Sequence, residues 1–273
     1  MSIEISEYEK SIWGRAGTIR TYSNLFKNHI AEHITEGELV QLNENKLLSL
    51  IQLWLNDGLG DRTIKQLVRM TIKYSKWLGC IHPPELAPLM RKLSRQKQEN
   101  PIKSLTAKEA KILLDYLSDK HLSLYLICLF GMHAGLRRGE IFGLQYGDID
   151  PFKNRITVQR SYNGPTKNGK TRVVPLSERL AKALELKDYL TKPSAEAIFQ
   201  IFDPNHDLRK VCKFVKIREI TIHDLRHTFA TLALESGVSP RTVQSWLGHS
   251  SLTTTLNIYW SALPTEQRMD FAP

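Results

Sequence analysis

Long apolar runs are missing from this sequence. No stretch of about 18 consecutive apolar residues occurs, so no membrane-spanning helix is expected. The opening MSIEISEYEK is acidic and polar, unlike a secretory signal. Cysteine is scarce: Cys80, Cys128 and Cys212 stand far apart and form no CxxC pair. A disulfide scaffold and a cysteine zinc site are therefore not expected, whereas a cytoplasmic chain is. Internal repeats and low-complexity tracts are also absent. The 273 residues are 41% hydrophobic and 24% charged, a composition that fits one or two folded domains. Acid is in short supply: 28 Asp and Glu face 38 Lys and Arg, for a net charge of +10. Such a chain is drawn to polyanions, nucleic acid first among them.

The excess charge is local. Residues 1–61 are net negative, whereas residues 62–103 carry ten basic side chains against two acidic ones. Winding 61–78 as a helix places Arg62, Lys65, Arg69, Lys73 and Lys76 within an arc of about 80°. Ile64, Leu67, Val68, Thr71, Tyr74 and Leu78 fall on the opposite side, facing a core. A solvated helix usually mixes signs, because i,i+4 pairs of opposite charge stabilise it. An unmixed cationic stripe favours phosphate contact instead. Residues 17–31 and 44–56 also read as helices, so the chain opens with an all-helical module. The polar run RQKQENPIKS (95–104) reads as a linker, and Thr106-Ala-Lys-Glu109 has capping-box form. The expected division is a DNA-binding domain at 1–95, a linker at 96–104 and a second domain at 105–273.

In the second domain, residues 121–134 read as a buried helix broken at Gly135, just before Arg137. RITVQRS (155–161) and TRVVPL (171–176) alternate as strands. Between them, Asn168-Gly169 has hairpin-turn chemistry that places Lys167 at the tip. Further helices are expected over 177–188, 204–216, 222–236 and from Ser239-Pro240 onward, with a last segment leading to Tyr259. His223-Asp-Leu-Arg-His227 admits three readings. It is an ordinary polar helix face, a metal site lacking the usual glutamate and a third ligand, or a phosphate site built on His223 and Arg226. Residues 231–247 also have the form of a helix-turn-helix, which would suit a DNA-binding regulator without chemistry.

Read together and in order, AGLRRGE (134–140), TKNGKTRVVPL (166–176), HDLRHTFAT (223–231) and LGHSSLTTTLNIY (247–259) resemble the tyrosine recombinase (phage integrase) family. The likeness spans about residues 104–260. It implies that Arg137 and Arg226 are the two catalytic arginines and Lys167 the hairpin lysine. His223 is the histidine preceding the second arginine, and His249 that of the LGH box. Tyr259 is the nucleophile, and Glu140 supports the site. The helical first module matches the family's SAM-like core-binding domain in position, size and charge. The resemblance also implies a mainly α fold with a small catalytic sheet or hairpin, and two domains closing on DNA as a C-shaped clamp.

The chemistry so implied is DNA cleavage through a 3′-phosphotyrosyl bond, followed by rejoining. The bond energy is retained, so neither ATP nor a metal or other cofactor is expected. Two arginines would neutralise the phosphate during attack. A phenol near pKa 10 is a poor nucleophile at pH 7, so His223 is expected to take its proton. Lys167 is expected to protonate the departing 5′ oxygen. The expected partners are double-stranded DNA with paired recombination sites, a homotetramer of this chain on that DNA, and an accessory directionality factor. The setting would be a mobile element acting at the nucleoid. A type IB topoisomerase and the non-catalytic regulator stand as the alternatives. The segment after Tyr259, with Leu263, Met269 and Phe271, is expected to meet a neighbouring subunit.

Overall fold

The computed structural model describes residues 16–85, 87–88, 103–185 and 191–259. The chain divides into two compact units, Met1–Asn100 and Pro101–Pro273. The expected linker at 96–104 is described only from residue 103, and Leu263, Met269 and Phe271 lie outside the described residues. The protein is mostly helical with small antiparallel sheets. Among the described residues, no helix is long and apolar enough to cross a membrane.

The first unit contains α1 (Ala16–His29), α2 (Glu36–Val40), α3 (Glu44–Asn56) and α4 (Asp61–Trp77). The short α2 has no apolar period to announce it; a reciprocal cap between Thr35 and Glu38 creates it. Phe26, Trp54, Leu67 and Tyr74 meet in the core, and the Trp54 indole N–H donates to the His29 carbonyl at 2.8 Å. Helix α4 buries Ile64, Leu67, Val68, Thr71 and Tyr74, and exposes Arg62, Arg69, Lys73 and Lys76. Lys65 is half-buried. Its neighbour on the wheel, Ile72, is buried too, so the packed face is wider than the apolar arc alone suggests.

The second unit is built around α6 (Leu122–Ala134), whose residues from Leu124 to Met132 are all buried. Such a helix, apolar all round, must be central. Helix α5 (Ala107–Lys120) packs on it, started by the expected Thr106–Glu109 capping box. The one-turn α7 (Arg138–Ile141) follows. Next come β1 (Ile149–Asp150), β2 (Arg155–Val158), β3 (Arg160–Ser161), β4 (Gly164–Pro165) and β5 (Arg172–Pro175). The unit is completed by α8 (Glu178–Glu185), α9 (Asn205–Phe214), α10 (Ile222–Glu235), α11 (Pro240–Leu247) and α12 (Leu252–Tyr259).

The strands differ from the simple hairpin read in the sequence. β2 pairs with both β1 and β5, but the 155–161 strand breaks at Gln159. Beyond the break, β3 and β4 form a separate two-stranded arm closed by Tyr162-Asn163. The Asn168-Gly169 turn exists, with Gly169 at φ +67 and its N–H donating to the Thr166 carbonyl. It lies in the loop joining the arm to β5, and this loop carries Lys167.

Candidate active site

Helix α11 ends at Leu247, and its terminal carbonyls have no partner within the helix. Four side chains from elsewhere supply one. Arg172 Nε donates to the Trp246 carbonyl at 2.6 Å, and Arg226 Nη2 to that of Leu247 at 2.6 Å. Arg137 Nη2 and Asn168 Nδ2 donate to that of Gly248 at 3.4 and 3.0 Å. Gly248 permits this geometry because its φ of +64 turns the chain sharply after the helix. The negative end of the helix dipole thus faces three guanidinium groups. Arg226 uses a second helix end in the same way, with Nη1 donating to the Gly135 carbonyl after α6 at 2.7 Å. It is only 2% exposed. Burial, then the charge of Arg137, lowers its pKa to about 9, so it remains a cation at neutral pH.

Glu140 holds the other two arginines. Its Oε1 accepts from Arg137 Nη1 at 2.9 Å and Arg172 Nη1 at 2.8 Å. Its Oε2 accepts from Arg172 Nη2 at 2.7 Å and from the Arg137 backbone N–H at 2.8 Å. Burial would raise this carboxyl, but the Arg172 hydrogen bonds and charge, aided by Arg137, prevail and hold it at about 2. One carboxylate faces three guanidiniums, so positive charge is left over for an anion. Arg137, at the entry to α7, is more open than Arg172.

The Tyr259 ring lies in a small core with Phe229, Val243 and Leu247 and is 2% exposed. Burial raises its pKa to about 12 despite the opposing charge of Arg226. Its hydroxyl lies 2.6 Å from His227 Nδ1. Burial, then the neighbouring His223, lowers His227 to about 4, so the imidazole is neutral at pH 7 and its tautomer sets which of the two atoms donates. The His223 ring stands edge-on to that of His227, with centroids 4.7 Å apart. Burial, Arg226, Arg137 and Lys167 also lower the pKa of His223, against Asp224. His249 Nδ1 lies 2.9 Å from Thr255 Oγ1, which leaves Nε2 for another partner. Burial, then Arg226 and Arg137, lowers His249 to about 4.

A cavity of about 410 Å³ opens beside these groups, lined in part by Arg137, Lys170, Arg172, Gly248 and His249. Lys167 is exposed in the turn before Lys170. Arg137, Glu140, Arg226, His249 and Tyr259 therefore converge on one corner, with His223 at its edge and Lys167 on its rim. Arg62, Lys65, Arg69, Lys73 and Lys76 belong to the other unit. Among the described residues, no three His, Cys, Asp or Glu side chains converge as a metal site would require.

Two residues of the corner were not singled out by the sequence. Arg172 shares its strand face with the buried Val174 and Leu176. A cation on the apolar face of a strand signals a buried ion pair, and that alternation was legible. His227 is i,i+4 from His223, a spacing that suggested only a metal. Its link to Tyr259 spans 32 residues and has no local signal. The helix pair of 231–247 is present as α10 and α11, and the end of its second helix carries the arginine cluster.

The phage integrase family profile matches residues 103–266 of this chain. The tyrosine recombinase XerA of Thermococcus kodakarensis is 30% identical over 227 residues, covering 78% of this chain and 76% of that protein. A crystal structure of XerA recombinase is 26% identical with a TM-score of 0.52, covering 98% of this chain and 96% of that one. A structure of the Tn1549 transposon integrase in complex with transposon right-end DNA superposes at TM-score 0.71 and 18% identity. It covers 97% of this chain and 95% of that one, and shares the fold.

Proposed function

Because this chain belongs to the phage integrase family and is a tyrosine-type site-specific DNA recombinase, we propose that Tyr259 is its nucleophile. It forms a 3′-phosphotyrosyl bond within the arginine corner described above. The observation that carries the reading is the convergence of Arg137, Arg172 and Arg226 on the end of α11, around one carboxylate and beside Tyr259. Donors already fixed in place stabilise a transition state more negative than the diester, without reorganising at the moment of reaction.

Arg137 and Arg226 take the non-bridging oxygens of the scissile phosphate, and His249 offers Nε2–H to one of them. Lys167, on its exposed turn, protonates the departing 5′ oxygen. His223, exposed on α10, is a proton carrier whose pKa is lowered by partial desolvation and by the cations around it. Glu140 orients Arg137 and Arg172. The helical unit at 1–95 binds duplex DNA through Arg62, Lys65, Arg69, Lys73 and Lys76. The working assembly is four copies on two paired sites, with an accessory factor setting direction, in a cytoplasmic, nucleoid-associated setting.

Covalent trapping tests this. The protein is incubated in EDTA with nicked suicide duplexes tiled across its native genomic neighbourhood, then run on a denaturing gel. An adduct from wild type and none from Tyr259→Phe is the expected result. DNA bound specifically but never joined to protein would sink the nucleophile assignment.

A further inference from the structure

We infer that His227, rather than His223, is the residue that receives the phenolic proton of Tyr259. This rests on the recombinase reading above and deepens it. The argument is geometric. A general base must lie within hydrogen-bond reach of the proton it removes, about 2.6–3.2 Å between heavy atoms. His227 Nδ1 is 2.6 Å from the Tyr259 hydroxyl. The ring of His223 meets His227 edge-on, and the hydrogen bond of the Tyr259 hydroxyl runs to His227.

The chain builds this contact deliberately. His227 leaves α10 one residue after Arg226, so the arginine and the base share one rigid turn. Tyr259 ends α12, and its ring is held in the core of Phe229, Val243 and Leu247. Packing thus holds the Tyr259 ring, while His227 is half-buried on α10. The charged and titratable groups around His227 are His223, Asp224 and Arg226 on its own helix, Tyr259 on α12, and His249 before α12. Burial, His223 and Arg226 keep His227 neutral against Asp224, and in the tautomer protonated at Nε2 its Nδ1 accepts the phenol. A bound phosphodiester brings a negative charge to the same corner and makes imidazolium easier to form.

The step balances as follows. The Tyr259 O–H bond breaks and its proton goes to Nδ1 of His227, giving imidazolium. The Oη–P bond forms as the P–O5′ bond breaks. The departing 5′ oxygen takes a proton from Lys167. On rejoining, a DNA 5′ hydroxyl gives its proton back to Lys167 as the O5′–P bond forms, the Oη–P bond breaks, and the leaving tyrosine recovers its proton from His227.

The test is the rate of covalent adduct formation across pH 6–9, on the nicked duplex that traps wild type. His227→Gln is compared with His227→Ala, Lys167→Ala and Tyr259→Phe, with DNA binding and thermal unfolding recorded for each. His227→Gln should bind DNA and fold as wild type, yet cleave about 100-fold or more slowly at pH 7. Its rate should then climb about tenfold per pH unit, because solvent must supply the phenolate. Wild type should show no such climb. A second substrate carries sulfur in place of the bridging 5′ oxygen, so its leaving group needs no proton. Lys167→Ala should recover on it and His227→Gln should not. A His227→Gln rate near wild type, a slow profile parallel to wild type, or recovery on the sulfur substrate would each overturn the assignment. Absence of adduct from wild type itself would overturn the recombinase reading, and this inference with it.

Discussion

Among single side chains, Glu140 determines how the arginines are aimed. Its two oxygens accept four hydrogen bonds, three from guanidinium groups and one from the Arg137 backbone. Removing one partner of a buried ionic cluster costs about 3–5 kcal/mol, because the remaining charges stay behind unpaired. Glu140→Gln keeps the shape, removes the charge and turns an amide N–H₂ toward an arginine donor. Urea unfolding should therefore show a loss of about 3 kcal/mol. Adduct formation should fall although Glu140 touches no substrate. Unchanged stability would mean that water replaces the carboxylate and that the cluster is not held by it. Arg172 is the companion case: three of its donors are committed to protein acceptors, so it braces the corner more than it offers itself to DNA.

At the scale of elements, the corner depends on two helix ends meeting. Helix α6 stops at Gly135, whose φ of +62 is left-handed and whose carbonyl receives Arg226. A methyl group added there would lie 2.5 Å from Phe229 Cδ1, on the same helix as Arg226. Gly135→Ala thus combines backbone strain with overpacking, each worth roughly 1–3 kcal/mol. The expected outcome is a drop in thermal midpoint together with loss of cleavage, since the displaced α10 carries both Arg226 and His227. A fall in stability with normal cleavage would show that the arginine tolerates movement of its helix. The helix boundaries themselves were legible from Thr106, Gly135, Ser239 and Gly237. The interrupted hairpin was not, because the break at Gln159 leaves the strand-like alternation intact while hydrogen bonds switch partners.

At the scale of the molecule, charge is unevenly distributed within the first unit, which is net negative over residues 1–61 and basic beyond them. The cationic side of α4 is exposed at Arg69, Lys73 and Lys76, and these three line one wall of a cleft of about 600 Å³ with Pro83 and Pro84. Each phosphate neutralised on duplex DNA contributes about 0.9 to the slope of log K against log salt. Replacing the three by alanine should flatten that slope by about 2.7 in titrations between 50 and 200 mM salt. An unchanged slope would return the stripe to solvent. Lys65, half-buried beside Ile72, should contribute less when replaced alone.

The sequence by itself determined the family, the helical character of both units, the cationic side of α4 and the identity of Tyr259, Arg137, Arg226 and His249 as candidates. Those features are carried by local spacing, caps and ordered motifs. Only the tertiary structure decided that three arginines share the end of α11, that Glu140 ties Arg137 to Arg172, and that His227 stands against the Tyr259 hydroxyl. Apart from the Arg137–Glu140 pair, which is three positions apart, these contacts join residues 21 to 111 positions apart through backbone carbonyls or buried side chains. No local pattern encodes these long-range contacts, because they exist only once the core has packed and unsatisfied polar groups must find one another.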